Sequence, residues 1–479
     1  MPAPLLDELP SEVFEEINVQ LQLYDLNILR LVSRRIAHLA TQKHFGTFLR
    51  HKYVEITRPA LEFMVELTTK GRIGCFVEQL TLVGVVYNTA LLEHQLAKTT
   101  RTSVKRIDLA RRIPYMPEQP CSEAELAHAA EEIQLLRAKR AGFASFLGAG
   151  DAVKLLTRIL LNLAARPQQP GLKRISIDVV VYREHSKIPE DMSQRPGWTS
   201  VWHKAAETFQ TLMLALDAVS IRVQELKIFC NDFSGNCSLQ CVELSRCDWQ
   251  TNGIAIAFVN LEALSISVSD RILNETRYDV SSTGDLIERL AAAPSTIKLL
   301  PNLETLKTQA TDGANFSGLG ALLNVCKGLK QLDLRRCEIR RSRRELDNYE
   351  ILSFLQHLTQ AVHLPTLRVL ALRNLDASEP DLLSFLKRHA IKQLTLQKFG
   401  LASGSQWSAI FDYLTSKDAG LETLHLEDIF QNRFHVQFCT GQRHFADNHT
   451  TGILWGAACS QTATRQYEAH SVARSATSL

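Results

Sequence analysis

The sequence predicts an α/β fold: a small helical module at the N-terminus, then an irregular repeat solenoid built on a parallel sheet. Three observations carry this. A unit of the form apolar–x–x–apolar–x–apolar returns along most of the chain. Helical stretches separate many of its copies, and strand–helix alternation with right-handed crossovers gives a parallel sheet lined by helices. The segment before the first copy holds two or three short helices with more apolar surface than a unit of roughly 40 residues can hide.

The N-terminal helices come first. Pro10 suits the first turn of a helix, where its missing N–H is not needed. Glu12, Glu15 and Glu16 follow, the charge sign that favours a helix N-terminus. Leu9, Val13, Ile17 and Leu21 recur every four residues with Phe14 beside them, one apolar stripe. Asp25 can cap a second helix, from which Leu26, Leu29, Val32, Ile36 and Leu39 keep helical spacing. His44 to Ile56 reads as a loop leading into a short strand. Pro59 opens a further helix through Leu61, Met64, Val65 and Leu67.

The repeat unit begins at Val77–Leu82 and recurs at Val104–Leu109, Leu172–Ile177, Val223–Ile228, Leu239–Leu244, Leu261–Ile266, Leu303–Thr308, Leu329–Leu334, Leu367–Leu372, Ile391–Leu396 and Leu421–Leu426. Its alternating end is a strand with one face buried. Helical stretches are predicted over 123–147, 151–165, 201–219, 285–293, 345–362, 379–390 and 406–415. Arg183–Ser200 and Thr311–Gly320 read as loops. After Phe438 the pattern stops, and the Thr-, Ser-, Ala- and Gln-rich 439–479 is expected to be a disordered tail.

Composition narrows the function classes. The chain has 479 residues, 45% hydrophobic and 22% charged, with a net charge of +3. That charge makes no case for nucleic acid or an anionic membrane as main partner. Ten cysteines are scattered without a small-domain framework or a leader, which implies reduced thiols and a cytoplasmic or nuclear location. The most apolar helix, Val153–Ala165, is too short to span a bilayer.

The order Leu9-Pro10, Glu12, Val13, Ile17, Asp25-Leu26, Leu29-Arg30, Val32-Ser33-Arg34-Arg35 resembles an F-box. Ile36 stands where many members of that family place Trp, keeping an apolar knob with less aromatic area. The repeat units resemble the degenerate leucine-rich repeats found behind an F-box in many filamentous-fungal proteins. Asn231, Cys247 and Cys337 fall at the repeat's small polar position, where the side chain satisfies backbone groups in the loop leaving the strand.

The resemblance implies four segments: an F-box over 1–45, a linker helix leading to the repeats over 46–76, the repeat domain over 77–438 and the tail over 439–479. It implies that Leu9, Pro10, Val13, Ile17, Leu26, Leu29 and Val32 bind a Skp-type adaptor and, through it, a cullin–RING ubiquitin ligase. The chain would then be the ligase's substrate receptor. The alternative is a repeat scaffold or adaptor-bound regulator that delivers no substrate. The target, an unidentified protein, is expected at the outward strand residues Thr81, Asp108, Ser176, Lys227, Glu243, Ser265, Lys307, Asp333, Ala371, Thr395 and His425. Successive strand residues face opposite sides, so these would stack into a mostly polar ribbon.

Other signals are thinner. Cys230, Cys237, Cys241 and Cys247 lack the paired spacing of a zinc knuckle, and Cys439, His444, His449 and Cys459 are looser still. Arg335-Arg336 and Arg340–Arg344 form one basic run, a candidate nuclear address or phosphate-binding patch. Gly148-Ala149-Gly150 lacks the Lys-Ser or Lys-Thr of a phosphate loop. Gly400-Leu401-Ala402-Ser403-Gly404 has alanine where a nucleophile elbow needs serine. No enzyme activity, metal or cofactor is expected.

Overall fold

Alternating apolar residues set the architecture. In the computed structural model, which describes residues 8–69, 74–102, 106–108, 113–115, 118–165, 171–183, 186–188, 198–230, 237–269, 312–336, 353–402, 404–431, 434–436 and 453–455, they form an open, largely parallel 12-stranded sheet. The fold is mixed α/β.

Helices α1 (Ser11–Val19), α2 (Leu23–Leu29), α3 (Arg34–Ala40) and α4 (Lys43–Leu49) make the N-terminal module. Pro10 stands just before α1. Asp25 lies inside α2, and its carboxylate accepts from Gln22 N–H at 3.2 Å. Ser33 caps α3, accepting from Ile36 N–H at 3.1 Å. The stretch read as a loop after His44 is α4, because Phe45 and Leu49 lie one turn apart and both enter the module's core.

The sheet starts before the first repeat unit. Strand β1 (His51–Glu55) pairs with β2 (Gln79–Val86), and α5 (Arg58–Thr69) crosses between them. After α6 (Ala90–Lys98), β3 (Thr100–Thr102) pairs with β6 (Glu118–Pro120), and β4 (Arg106–Asp108) with β5 (Ile113–Tyr115). Helices α7 (Glu123–Gly148) and α8 (Asp151–Ala164) lead to β7 (Leu172–Arg183), whose end turns back as β8 (Ser186–Ile188). Then come α9 (Trp198–Asp217), β9 (Val223–Ile228), β10 (Leu239–Gln240), α10 (Cys241–Ser245), α11 (Asn252–Phe258) and β11 (Ala263–Ser269). Helix α12 (Asp312–Val325) precedes β12 (Gln331–Arg336), and α13 (Ser353–Ala361) precedes β13 (Val369–Arg373). The chain continues through β14 (Asp376–Ala377), α14 (Glu379–Arg388), β15 (Gln393–Gln397), β16 (Gly400–Leu401), α15 (Trp407–Thr415) and β17 (Thr423–Glu427). It closes with β18 (Phe430–Gln431), β19 (Phe434–His435) and β20 (Ile453–Trp455). Strands β14, β16, β18 and β19 form a second small sheet.

Main-sheet order is β1-β2-β7-β9-β11-β12-β13-β15-β17-β20, parallel except that β20 runs antiparallel along the edge of β17. Leu80, Ile175, Leu226, Leu264, Leu332, Leu370, Leu394 and Leu424 stand in one register column, and Leu82, Ile177, Ile228, Ile266, Leu334, Leu372, Leu396 and Leu426 in the next. Both columns are buried in one continuous core with side chains from α5, α8, α9 and α12–α15.

Two units depart from the expected pattern. Asp108 lies in the β4–β5 hairpin, off the main sheet. Strand β7 already occupies the place beside β2, matched to it from Gln79 to Val86. Residues 239–244 make a two-residue strand and then a helix. Cys241 and Leu244 are both buried there, and a spacing of three serves a helix face. The 303–308 unit lies outside the described residues, as do 285–293, 345–352, Asn231 and Cys337. The 311–320 loop is helix α12 from Asp312 onward. Of the tail, the described residues are the edge strand β20.

The chain leaves its strands through left-handed residues. Phe229, Asn374, Lys398 and Asp428 have φ of 54°, 56°, 48° and 51°, directly after β9, β13, β15 and β17. Asn374 N–H donates to Gln397 O and Lys398 N–H to Glu427 O. The Asn374 side chain donates to Arg336 O at 3.2 Å, the service expected of an Asn or Cys one residue further along the unit. Cys247 instead follows α10, with its thiol 3.6 Å from Glu243 O.

Two outcomes test this packing. A Cβ on Gly318 would come within 2.2 Å of Ser245 N and 2.3 Å of the Leu244 carbonyl carbon, because α12 crosses the α10 backbone there. Helix propensity alone favours Gly318→Ala by about 1 kcal/mol; overpacking costs about 1–3 kcal/mol. Denaturant unfolding should show a net loss. His389 is buried, its Nε2 accepts from Leu364 N–H at 3.4 Å, and its Nδ1 lies 2.8 Å from Phe385 O. Burial depresses its pKa; the Phe385 carbonyl opposes this, while Arg388 and His363 add to it. The neutral ring is therefore the folded form. Its contribution is intact above the unfolded pKa of about 6.5 and falls as pH drops through the depressed folded value. The thermal midpoint should decline more steeply below pH 6.5 in the wild type than in His389→Gln.

Candidate functional site

Two surfaces carry the candidate residues. The first is the helical module. Phe14, Leu26, Ile36, Leu39, Ala40, Phe45 and Leu49 form its core, with Leu21, Leu23, Leu29, Phe48 and Phe76 against it. Helix α1 turns Phe14 and Asn18 inward, and Asn18 Nδ2 donates to Leu39 O at 3.1 Å. The apolar stripe of Val13 and Ile17 therefore faces out. Tyr24 and Ile28, one turn apart on α2, are also exposed, with Tyr24 at 74% and, in the following turn, Leu31 at 86% and Val32 at 61%.

This sorts the expected adaptor residues. Pro10, Val13, Ile17 and Val32 are exposed and Leu9 is half-buried. Leu26 is fully buried at 0%, and Leu29 packs against the same core. Leu26 is therefore unable to meet a partner directly, because the module needs it to hold its own helices together. Ile36 is likewise buried and presents no outward knob. Tyr24, Ile28 and Leu31 were missed by sequence reasoning; Tyr24 and Ile28, four apart beside the Leu26 ladder, were the available signal.

The module is seated on the sheet through α4. Phe76 packs against the module core, and a Cβ on Gly46 would lie 2.5 Å from its ring. Glycine at 46 permits that close approach.

The second surface is the sheet face away from the core. Thr81, Ser176, Lys227, Ser265, Asp333, Ala371, Thr395 and His425 stand in one register row across it. Tyr53 on β1 begins the row and Leu454 on β20 ends it. Thr81 and Ser176 are buried. Thr81 Oγ1 lies 2.8 Å from His51 Nε2, whose pKa is lowered by burial and then by Arg174. Glu243 is not on this face. It is buried on α10, where its carboxylate accepts from Gln210 Nε2 and Arg246 Nη1, both at 2.6 Å. Asp108 belongs to the hairpin, and Lys307 lies outside the described residues.

Helix α7 covers one end of the face, which the repeat pattern did not reveal. Leu136 packs with Val85 and Tyr182; Lys139 Nζ stands 4.1 Å from the Tyr182 ring centroid, and Arg140 Nη2 donates to Tyr87 O at 2.5 Å. Its later residues Phe143 and Phe146 enter the main core instead. Because α7 buries different sides along its length, it has no single apolar stripe to read.

From β9 to β17 the face is polar and cross-linked. Glu225 takes Arg174 Nε at 2.5 Å and Lys227 Nζ at 3.1 Å. Arg373 Nε donates to both oxygens of Asp333, at 3.0 and 3.2 Å, and Nη1 to Gln397. Gln397 Nε2 in turn donates to Glu427 at 2.9 Å.

Among the described residues no His, Cys, Asp or Glu group could hold a metal ion. Burial pushes the Cys230 and Cys247 thiols up to about 12, so they are poor ligands and nucleophiles. The 439–459 cluster and Arg340–Arg344 lie outside the described residues. Among the described residues no helix is long and apolar enough to cross a membrane. No protein-family model matches the chain, and no curated protein matches it either.

The division between buried and exposed residues gives a direct test. Leu26→Ala should destabilise the module by about 2–5 kcal/mol. Val32→Ser should stay within about 0.5 kcal/mol of the parent. Circular-dichroism melts of the two variants check both.

Proposed function

We propose that this chain is a substrate receptor of a Skp–cullin–F-box ubiquitin ligase. On this reading the helical module holds a Skp-type adaptor. The strands and helices behind it form a leucine-rich repeat solenoid that holds a protein target on its open face. The observation that supports this best is the exposure of Val13, Ile17, Tyr24, Ile28, Leu31 and Val32 on a small module that already has a closed core. Such side chains in water mark a partner surface, and a short helical unit docks through a few apolar anchors. The resemblance of Leu9-Pro10 and Asp25–Arg35 to the F-box pattern selects the class of partner. The receptor contributes no chemistry of its own; it raises the target's effective concentration near the conjugating enzyme.

Binding of purified chain to a Skp-type adaptor, followed by calorimetry, tests the reading. Val13→Asp with Val32→Asp should weaken the complex at least about tenfold, since an apolar anchor is worth roughly 1–3 kcal/mol. The parent chain should also retain cullin through the adaptor. An unchanged dissociation constant in the double variant would sink the assignment, and adaptor capture without cullin would favour a scaffold.

A further inference from the structure

We infer that the open face at β12 and β13 takes the carboxylate side chain of an acidic peptide segment between Arg335 and Arg373. This deepens the receptor reading by naming the chemistry of the target. The two arginines are direct register partners on neighbouring parallel strands. Like charges placed opposite each other on a sheet are destabilising, and the carboxylate of Asp333 is bonded to Arg373, one of the two.

The surrounding charges define which anion. Arg373 is held in place by Asp333 through Nε and by Gln397 through Nη1. Its Nη2 has no partner among the described residues, nor has the half-buried Arg335 guanidinium. The other cation nearby, Lys227, is paired with Glu225. Glu225 is shared with Arg174 on β7, whose strand also brings Asp178 to this face, so from β7 to β13 the open-face rows carry Arg174, Lys227, Arg335 and Arg373 against Asp178, Glu225 and Asp333. The charge left over is the one at Arg335.

That single excess charge fits a carboxylate better than a phosphate dianion, whose second charge would stand against Asp333. The fork geometry of two guanidinium groups suits a planar carboxylate. Farther along the sheet, Glu427 bonds Gln397 and lies 3.6 Å from His425 Nε2, so the face becomes acidic toward β17. An occupant lying across the strands is therefore oriented, its acidic end over β12–β13 and away from β17.

The test uses the full chain and a fluorescein-labelled poly-glutamate peptide read by anisotropy at low salt. The parent should bind the peptide with an affinity that falls as salt rises. Arg335→Gln should lose at least about tenfold, the worth of one charge-assisted hydrogen bond, and Arg335→Lys should restore part of it. Lys330→Gln, whose lysine pairs with Glu262 outside these rows, should bind as the parent does. Arg335→Gln should also melt at the same temperature as the parent or higher, because it relieves the repulsion with Arg373. A lower midpoint would mean the arginine serves the fold. Equal peptide binding by the parent and Arg335→Gln, or no binding by the parent, would overturn the inference. So would binding only of a phosphopeptide or of anionic vesicles. Adaptor affinity, measured on the same Arg335→Gln sample, separates the two readings: it should be unchanged, and its loss would bear on the helical module alone.

Discussion

Leu80, Ile175, Leu226, Leu264, Leu332, Leu370, Leu394 and Leu424 meet edge to edge across parallel strands, and the rest of the structure depends on that register. Burial of one face fixes it, because a slip of one residue would send the apolar column to solvent and the polar row into the core. The core is continuous from Val54 on β1 to Leu426 on β17, so a strand out of register would disturb its neighbours on both sides. The left-handed turns at Asn374, Lys398 and Asp428 act in the same direction. Each fixes where its strand ends, and the N–H groups of the first two bond to the following strand.

The same register determines what the opposite face can do. Each strand contributes one residue to each row, so cross-strand contacts such as Arg174–Glu225 and Arg373–Asp333 are set by which strands are neighbours. Helix α7 closes the face over Val85 and Tyr182, leaving the polar stretch from β9 onward. At the other end of the chain a separate constraint holds. The helical module closes its own core with Phe14 and Leu26, and α1 has only one inward side. Val13 and Ile17 are left in water by that choice. The module meets Phe76, just before β2, at Gly46 of α4.

Much of the sheet was legible in the sequence because its signal is local. Two apolar residues flanking a polar one, as in Leu332-Asp333-Leu334, report a half-buried strand without knowledge of its neighbours. The pattern failed where a competing local solution existed. Cys241 and Leu244 satisfy a helix as well as a strand, and Glu243 went with them into a buried ion pair with Arg246. It also failed where a place in the sheet was already filled, as for Asp108 beside β2. The helical module was legible as helices but not in its facing. The stripe through Val13 and Ile17 is the more regular one, yet Phe14 and Asn18 are the residues buried. A single short helix offers two candidate faces, and only tertiary packing against α3 and α4 decides between them. The role of α7 was not legible at all, since one helix buries Leu136 in one cluster and Phe146 in another.

The central claim is that a partner covers the outward side of the N-terminal helices while the sheet face stays free for a target. Hydrogen–deuterium exchange of the full chain, with and without a saturating Skp-type adaptor, measures this most directly. The account predicts new protection confined to peptides spanning Leu9–Val19 and Tyr24–Val32, with β9 to β17 unchanged. Protection over the β12–β13 face instead, or no protection anywhere in the helical module, would contradict it.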